Sequence, residues 1–180
     1  ELNLSCPNVK AGCLAFGTTY EGVKEVTSAV RKVLDKPLIV KLTPNVTDIT
    51  ATAKGAEDGG ADAISLINTL LGMKIDVNTR KPVLANNTGG LSGPAIKPVA
   101  VRMVYQAAKA VNIPVMGLGG IVNGEDAIEF MLAGASTISI GCGNFIDPYC
   151  AVKTVEQIEE YMKKHNIEDI NDIIGKVEMN

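Results

Sequence analysis

Tryptophan is absent from this 180-residue chain, other aromatics are few (four tyrosines and three phenylalanines), and there is a single histidine, His165. Seventeen basic residues face twenty acidic ones, for a net charge of −3, and no basic stripe breaks that balance. A chain so short of positive charge and stacking side chains is a poor partner for nucleic acid. The four cysteines, Cys6, Cys13, Cys142 and Cys150, form no CxxC pair, and one histidine in a helical polar stretch does not complete a zinc set. The same cysteine usage points to a reducing, cytoplasmic compartment. No apolar run is long enough to span a bilayer, and the opening residues do not read as a signal peptide. Asn45-Val46-Thr47 and Asn86-Asn87-Thr88 match the glycosylation triplet, which has no meaning in such a compartment. Also missing is an initiator methionine: the chain opens inside a strand with no cap or turn before it, so further residues are expected upstream.

What is present is a repeating alternation. Leu2 and Leu4 alternate with Asn3 and Ser5 as in a short strand, and Pro7 ends it by removing a backbone donor. After a glycine-bearing loop, Val23, Val26, Val30 and Val33 fall at helical spacing until Asp35-Lys36-Pro37. Leu38 to Thr43 is an almost continuous apolar run with one lysine, the signature of a parallel strand covered on both faces. A helix with Ile49, Ala53 and Ala56 then stops at Gly59-Gly60, and Ala63 to Asn68 is the third strand. The segment from Thr69 to Pro94 is too long for an ordinary connection and should carry small elements of its own. Within it, Lys74 to Val77 and Pro82 to Leu84 predict a hairpin, and Thr88 to Gly93 reads as a flexible polar patch. Val101, Val104, Ala108 and Val111 mark the next helix, and Pro114 to Gly120 the fourth strand with its exit. Asn123 caps a helix carrying Ile128, Met131 and Leu132 that Gly134 ends. Thr137 to Gly143 is the fifth strand, Val152, Val155, Ile158 and Met162 predict an amphipathic helix, and a helical tail lies near Ile170 to Ile174. Strands alternating with helices, each strand leaving into a polar or glycine-rich exit, predict a parallel α/β fold with its chemistry at the carboxyl ends of the strands.

Those ends hold reactive and polar residues. Cys6 sits at the exit of the first strand between Asn3 and Asn8; a thiol near neutral pKa can take a proton, and amides match a planar polar ligand. An ordinary buried strand-end cysteine with turn-forming asparagines is the alternative. Lys41, within an apolar strand, must pair or send its charge out of the strand end. It suits an electron-rich ring edge such as that of a flavin, whose added negative charge on reduction it would stabilise; the alternative is a structural pair with a carboxylate such as Asp62. Asn68 ends the third strand and could equally cap its turn. Gly119-Gly120 and Gly141-Cys142-Gly143 end the last two strands ahead of helices, where glycine lets backbone N–H groups approach a phosphate and a helix N-terminus adds partial positive charge. Tight turns that need glycine are the plain alternative.

Asn3-Leu4-Ser5-Cys6-Pro7-Asn8, Val40-Lys41-Leu42, Ile67-Asn68-Thr69, Thr88-Gly89-Gly90-Leu91-Ser92-Gly93, Gly119-Gly120 and Gly141 resemble, in order and spacing, the class 1 dihydroorotate dehydrogenases. Asn8-Val9-Lys10 followed by Ala15-Phe16-Gly17 is most similar to the NAD-linked type B subclass. The resemblance implies a (β/α)8 TIM barrel, residues 1–180 supplying strands four to eight with their helices and the amino-terminal strands lying outside the sequence. It implies oxidation of dihydroorotate to orotate in pyrimidine biosynthesis, with Cys6 as the base at C5 while hydride leaves C6 for flavin N5. Asn3, Asn8, Asn68 and Thr69 would hold the pyrimidine. Asn3, Lys41, Ile67, Gly93, Gly119, Gly120, Gly141 and Cys142 would contact flavin mononucleotide (FMN). The implied partner is a subunit carrying FAD and a 2Fe-2S cluster that passes electrons to NAD, in a heterotetramer built on a homodimer of the FMN subunit.

Two departures stand out. Cys142 occupies a place where a small hydroxyl residue is expected, which weakens one side-chain bond to a phosphate and leaves the backbone N–H. A five-strand piece also has two open hydrophobic edges, an aggregation hazard. Two other readings stay open: a related flavin barrel acting on another pyrimidine, as in dihydropyrimidine dehydrogenase, and a catalytically silent barrel fragment that only binds a partner.

Overall fold

The computed structural model describes residues 1–5 and 16–180; Cys6 and Asn8 lie outside the described residues. The main sheet has five parallel strands in the order β1 (Leu2–Asn3), β2 (Ile39–Lys41), β3 (Ala63–Leu66), β8 (Val115–Leu118) and β9 (Thr137–Ser139). Strands β4 (Leu70–Gly72), β5 (Ile75–Asp76), β6 (Lys81–Pro82) and β7 (Gly89–Leu91) lie in the long segment between β3 and β8 and do not join this sheet. The helices are α1 (Tyr20–Arg31), α2 (Ile49–Asp58), α3 (Lys97–Ala110), α4 (Gly124–Ala133), the short α5 (Gly143–Ile146) and α6 (Cys150–His165). They pack in succession, α1 on α2, α2 on α3, α3 on α4 and α4 on α6. A doubly wound sheet would divide them between two faces; this single file is the open arc of a (β/α)8 barrel.

The alternation along each strand divides the sheet into two faces. Val40, Ile64, Leu66 and Val115 are buried and join Val23, Ile49, Ala53, Val104 and Phe130 from the helices in one core. At β8 the fit is close: a Cβ on Gly117 would lie 2.6 Å from the Phe130 ring. The opposite phase forms one register row across the sheet, Asn3, Lys41, Ser65, Met116 and Thr137. Asn3, Lys41, Ser65 and Thr137 thus share the concave side with the apolar Met116, while the large apolar residues of the other phase serve the core.

Caps set the helix limits. Thr19, Asp48 and Asn123 accept N–H bonds in the first turns of α1, α2 and α4, and Gly134 ends α4 in the left-handed conformation. Three expectations shift in detail. Helix α1 ends at Arg31, whose guanidinium binds the carbonyls of Leu34 and Lys36, so Val33 lies beyond the helix and is 87% exposed. Helix α3 buries Ala100, Met103, Val104 and Ala107, with Val101 and Ala108 only half-buried on its flank. Helix α6 seats Cys150, Thr154 and Ile158 against its neighbours, leaving Val152 and Val155 exposed because they project roughly 100° or more around the helix.

The predicted hairpin is present as β5 (Ile75–Asp76) against β6 (Lys81–Pro82). The Thr88 to Gly93 patch is more regular than expected. Its Gly89–Leu91 is strand β7, antiparallel to β4 (Leu70–Gly72), a pairing between partners about twenty residues apart that no local pattern reports.

Candidate active site

Residues from all five strand ends meet at the carboxyl edge of the sheet. Asn3 Oδ1 accepts from Ser5 N at 3.1 Å, from Ser5 Oγ at 2.6 Å and from Asn68 Nδ2 at 3.3 Å. Asn68 Nδ2 also donates to Ser5 Oγ at 2.6 Å, and its Oδ1 accepts from Thr69 N at 2.7 Å. The Asn68 amide is therefore committed within the cluster and orients Asn3. Among the described residues the amino group of Asn3 has no protein partner, which leaves it to a ligand.

The end of β3 is held from both sides, Ile67 N bonding Leu118 O at 2.9 Å and Asn68 N bonding Leu42 O at 3.1 Å. Asn45, read from sequence only as part of a chance triplet, adds a further tie. Its Nδ2 donates to Thr43 Oγ1 and to Thr69 O, each at 3.1 Å, and its Oδ1 accepts from Leu71 N at 2.9 Å. It thereby sets the path of the chain leaving Asn68; no spacing rule would single it out. Gly90 of β7 closes on the same stretch, since a Cβ there would fall 2.1 Å from Thr69 Oγ1.

Beside this cluster opens a cleft of about 140 Å³. Lys41, Ile67, Asn68, Thr69, Gly93, Gly119, Gly120, Gly141 and Cys142 all border it. The structure thus brings together the predicted flavin-contacting residues other than Asn3, which bonds Asn68 but does not itself line the cleft. Three lining residues were not foreseen: Ser92, Ile96 and Leu118. Ile96 and Leu118 are apolar and carry no chemical signal in the sequence; the turn after Gly93 and the inward phase of β8 bring them to the cleft.

Lys41 points along the concave face, its Nζ 3.5 Å from Glu1 Oε1. Asp62, its suggested structural partner, is engaged elsewhere. It accepts from Leu38 N at 2.7 Å and Arg31 Nη1 at 2.8 Å, and those bonds, the backbone one first, hold its carboxyl below the usual range. Asp62 precedes β3 and faces the amino end of the sheet, so the lysine and this aspartate lie at opposite ends.

Of the two glycine exits only the first takes the left-handed conformation, Gly141 and Gly143 having no positive φ. Gly93, Gly119 and Gly120 have φ of 91°, 129° and 85°, and a Cβ on Gly120 would lie 2.8 Å from Gly93 O. Among the described residues, no protein acceptor engages the backbone N–H of Gly119, Gly120, Gly141 or Cys142. A Cβ on Gly141 would meet nothing within 4 Å, so packing does not demand glycine there, while a ligand in the cleft would. These features fit a phosphate held by backbone donors. The helix N-terminus contributes less than expected. In the first turn of α4, Asn123 Oδ1 takes Asp126 N and Gln157 Oε1 takes Gly124 N, while Asp126 Oδ2 takes Val122 N and adds its own negative charge. Lys97 balances that charge through Asp126 at 2.7 Å and Glu129 at 2.5 Å, bonds that raise its own pKa.

A family model described as dihydroorotate dehydrogenase matches residues 1–162. The chain belongs to the dihydroorotate dehydrogenase family. Among its relatives are proteins named dihydroorotate dehydrogenase B (NAD(+)), catalytic subunit. Those of Alkaliphilus oremlandii and Lachnoclostridium phytofermentans are 65% and 59% identical, over 98% of this chain and 59% of each relative. That of Bacteroides fragilis is 59% identical over 99% of this chain and 59% of its own. The chain therefore spans 59% of the length of these relatives. A dihydroorotate dehydrogenase of Eimeria tenella, solved in complex with ferulenol, aligns with 97% of this chain and 52% of its own, with a TM-score of 0.81 and 24% identity. That likeness establishes the shared fold. No helix among the described residues is long and apolar enough to cross a membrane.

Proposed function

We propose that this chain forms the carboxyl-terminal five-strand part of an FMN-binding barrel that oxidises dihydroorotate to orotate in an NAD-linked, type B enzyme. The observation that carries the reading is the convergence of Lys41, Asn68, Thr69 and the two glycine exits on one cleft. FMN fits that cleft chemically. The free N–H groups of Gly119, Gly120, Gly141 and Cys142 suit its phosphate, and the apolar side chains of Ile67, Ile96 and Leu118 suit a flat ring. Cys142 would act through its backbone, so the loss of a hydroxyl there removes one side-chain bond only.

When bound, FMN would supply the capacity to accept two electrons as a hydride, which no side chain has. The chain's own residues do the rest. Cys6 is positioned by sequence at the exit of β1, one residue past the Asn3–Ser5–Asn68 cluster, and takes the proton at C5 of the substrate, made acidic by the adjacent carbonyl. Asn3 offers its free amino group to the pyrimidine, Asn68 and Thr69 fix Asn3 and the floor of the site, and Asn8 adds a further contact. Lys41 places positive charge beside the flavin edge that becomes electron-rich.

The relatives' name, a catalytic subunit linked to NAD(+), supports an electron-transfer partner subunit. In this reading that subunit carries FAD and a 2Fe-2S cluster, the FMN subunit pairs as a homodimer within a heterotetramer, and the enzyme works in the cytoplasm. The test is an assay of the full-length protein with dihydroorotate and with dihydrouracil. Orotate formation together with flavin absorbance near 450 nm supports the proposal. Turnover of dihydrouracil alone would assign the barrel to another pyrimidine, and absence of flavin would leave a partner-binding fragment.

A further inference from the structure

Glu1 has no part in the site described so far, yet it is the only carboxylate near Lys41 among the described residues. It lies two residues before Asn3 on the same strand phase, so its side chain points to the concave face. Its two oxygens are divided between two partners. Oε1 is 3.5 Å from Lys41 Nζ, and Oε2 accepts from Ser65 Oγ at 2.8 Å. Ser65 is fully buried and stands opposite Lys41 in the β2–β3 register, so serine and lysine bracket the carboxylate from neighbouring strands. Lys41 in turn borders the cleft that Glu1 does not reach. The carboxylate thus touches the lysine from behind while the cleft lies ahead of it.

We propose that Glu1, anchored by Ser65, is a positioning residue that aims the Lys41 ammonium and offsets part of its charge, and so sets how strongly the site favours reduced over oxidised flavin. The inference rests on the flavin reading above. An ammonium alone would pull the equilibrium towards the form with extra negative charge on the ring edge. A carboxylate 3.5 Å behind it weakens that pull and keeps the cofactor able to pass its electrons on. Ser65 limits the carboxylate to one geometry, which fixes the size of the effect.

The test is a spectroelectrochemical titration of the full-length, FMN-loaded protein. Glu1→Gln keeps the Ser65 bond and removes the charge. It should favour reduced over oxidised flavin by about tenfold more than the parent, a rise of about 30 mV for a two-electron couple. Glu1→Asp keeps the charge and should restore most of the parent potential. Ser65→Ala, which releases the carboxylate, should move the potential in the same direction as Glu1→Gln by a smaller amount, and it carries the test if Glu1→Gln does not fold. Replacing Lys41 by Met should lower the potential and abolish the effect of Glu1→Gln in the double variant. An unchanged potential in Glu1→Gln and Ser65→Ala, with Lys41→Met still shifted, would overturn the role of Glu1 and leave the flavin reading intact. A parent protein that holds no flavin would refute that reading itself, and this inference with it.

Discussion

Single residues carry the chemistry, and two of them separate binding from proton transfer. Replacing Cys6 by Ala should leave FMN in place, because no flavin contact is assigned to the thiol. The reductive half-reaction should slow by about two orders of magnitude or more, the ordinary scale for loss of a general base. Rapid-mixing measurement of flavin bleaching by dihydroorotate checks this, and a normal rate would remove Cys6 from its role. Gly120→Ala acts on the other half of the problem. With φ at 85° and a Cβ placed 2.8 Å from Gly93 O, the new side chain must displace the loop that offers free N–H groups to the phosphate. Equilibrium dialysis should show weakened FMN binding, with the catalytic thiol untouched. The residue types at these positions were legible in the sequence because a cysteine at a strand exit and paired glycines announce themselves. The partner of Lys41 was not. Glu1 is forty residues away in the chain and reaches the lysine only once β1 and β2 pair in parallel.

Elements add stability that the site depends on. Gly117 in β8 lies under Phe130 of α4, and an added Cβ would sit 2.6 Å from the ring with no flexible atom to yield. Gly117→Ala should therefore destabilise by about 1–3 kcal/mol, the usual range for overpacking, visible as a lower Tm. The connection from α1 to β2 depends instead on charge. Asp62 accepts from Leu38 N and from Arg31, and its carboxyl pKa is depressed by these bonds. A depressed carboxyl stabilises the fold above its unfolded pKa of about 3.9, and that contribution fades as pH falls through the folded value. The Tm difference between the parent and Asp62→Asn should be present at pH 7 and close below about pH 4. Helix limits were readable at Gly59, Asn123 and Gly134, where capping chemistry is local. The end of α1 was not, since it depends on Arg31 gathering the carbonyls of Leu34 and Lys36 together with Asp62.

The whole molecule is an arc whose two outer strands, β1 and β9, each pair on one side only among the described residues. Near β9, Phe145, Ile146 and Tyr149 are strongly exposed, and Val152 and Val155 continue the apolar surface along α6. Unpaired strand edges beside exposed apolar side chains promote association. The 180-residue chain expressed alone should therefore self-associate in size-exclusion chromatography with light scattering, while a polypeptide of the relatives' length should run as a discrete species. The order of the βα units, the strands and their glycine and proline stops were settled by the sequence itself. They depend on backbone conformation and on hydrophobic period, both of which act within a few residues. The tertiary structure decided which side chains meet: Lys41 with Glu1 rather than Asp62, Asn45 with Thr69, and β4 with β7. Those pairings leave no periodic trace in the chain, because they arise only when strands distant in sequence are set side by side in one register.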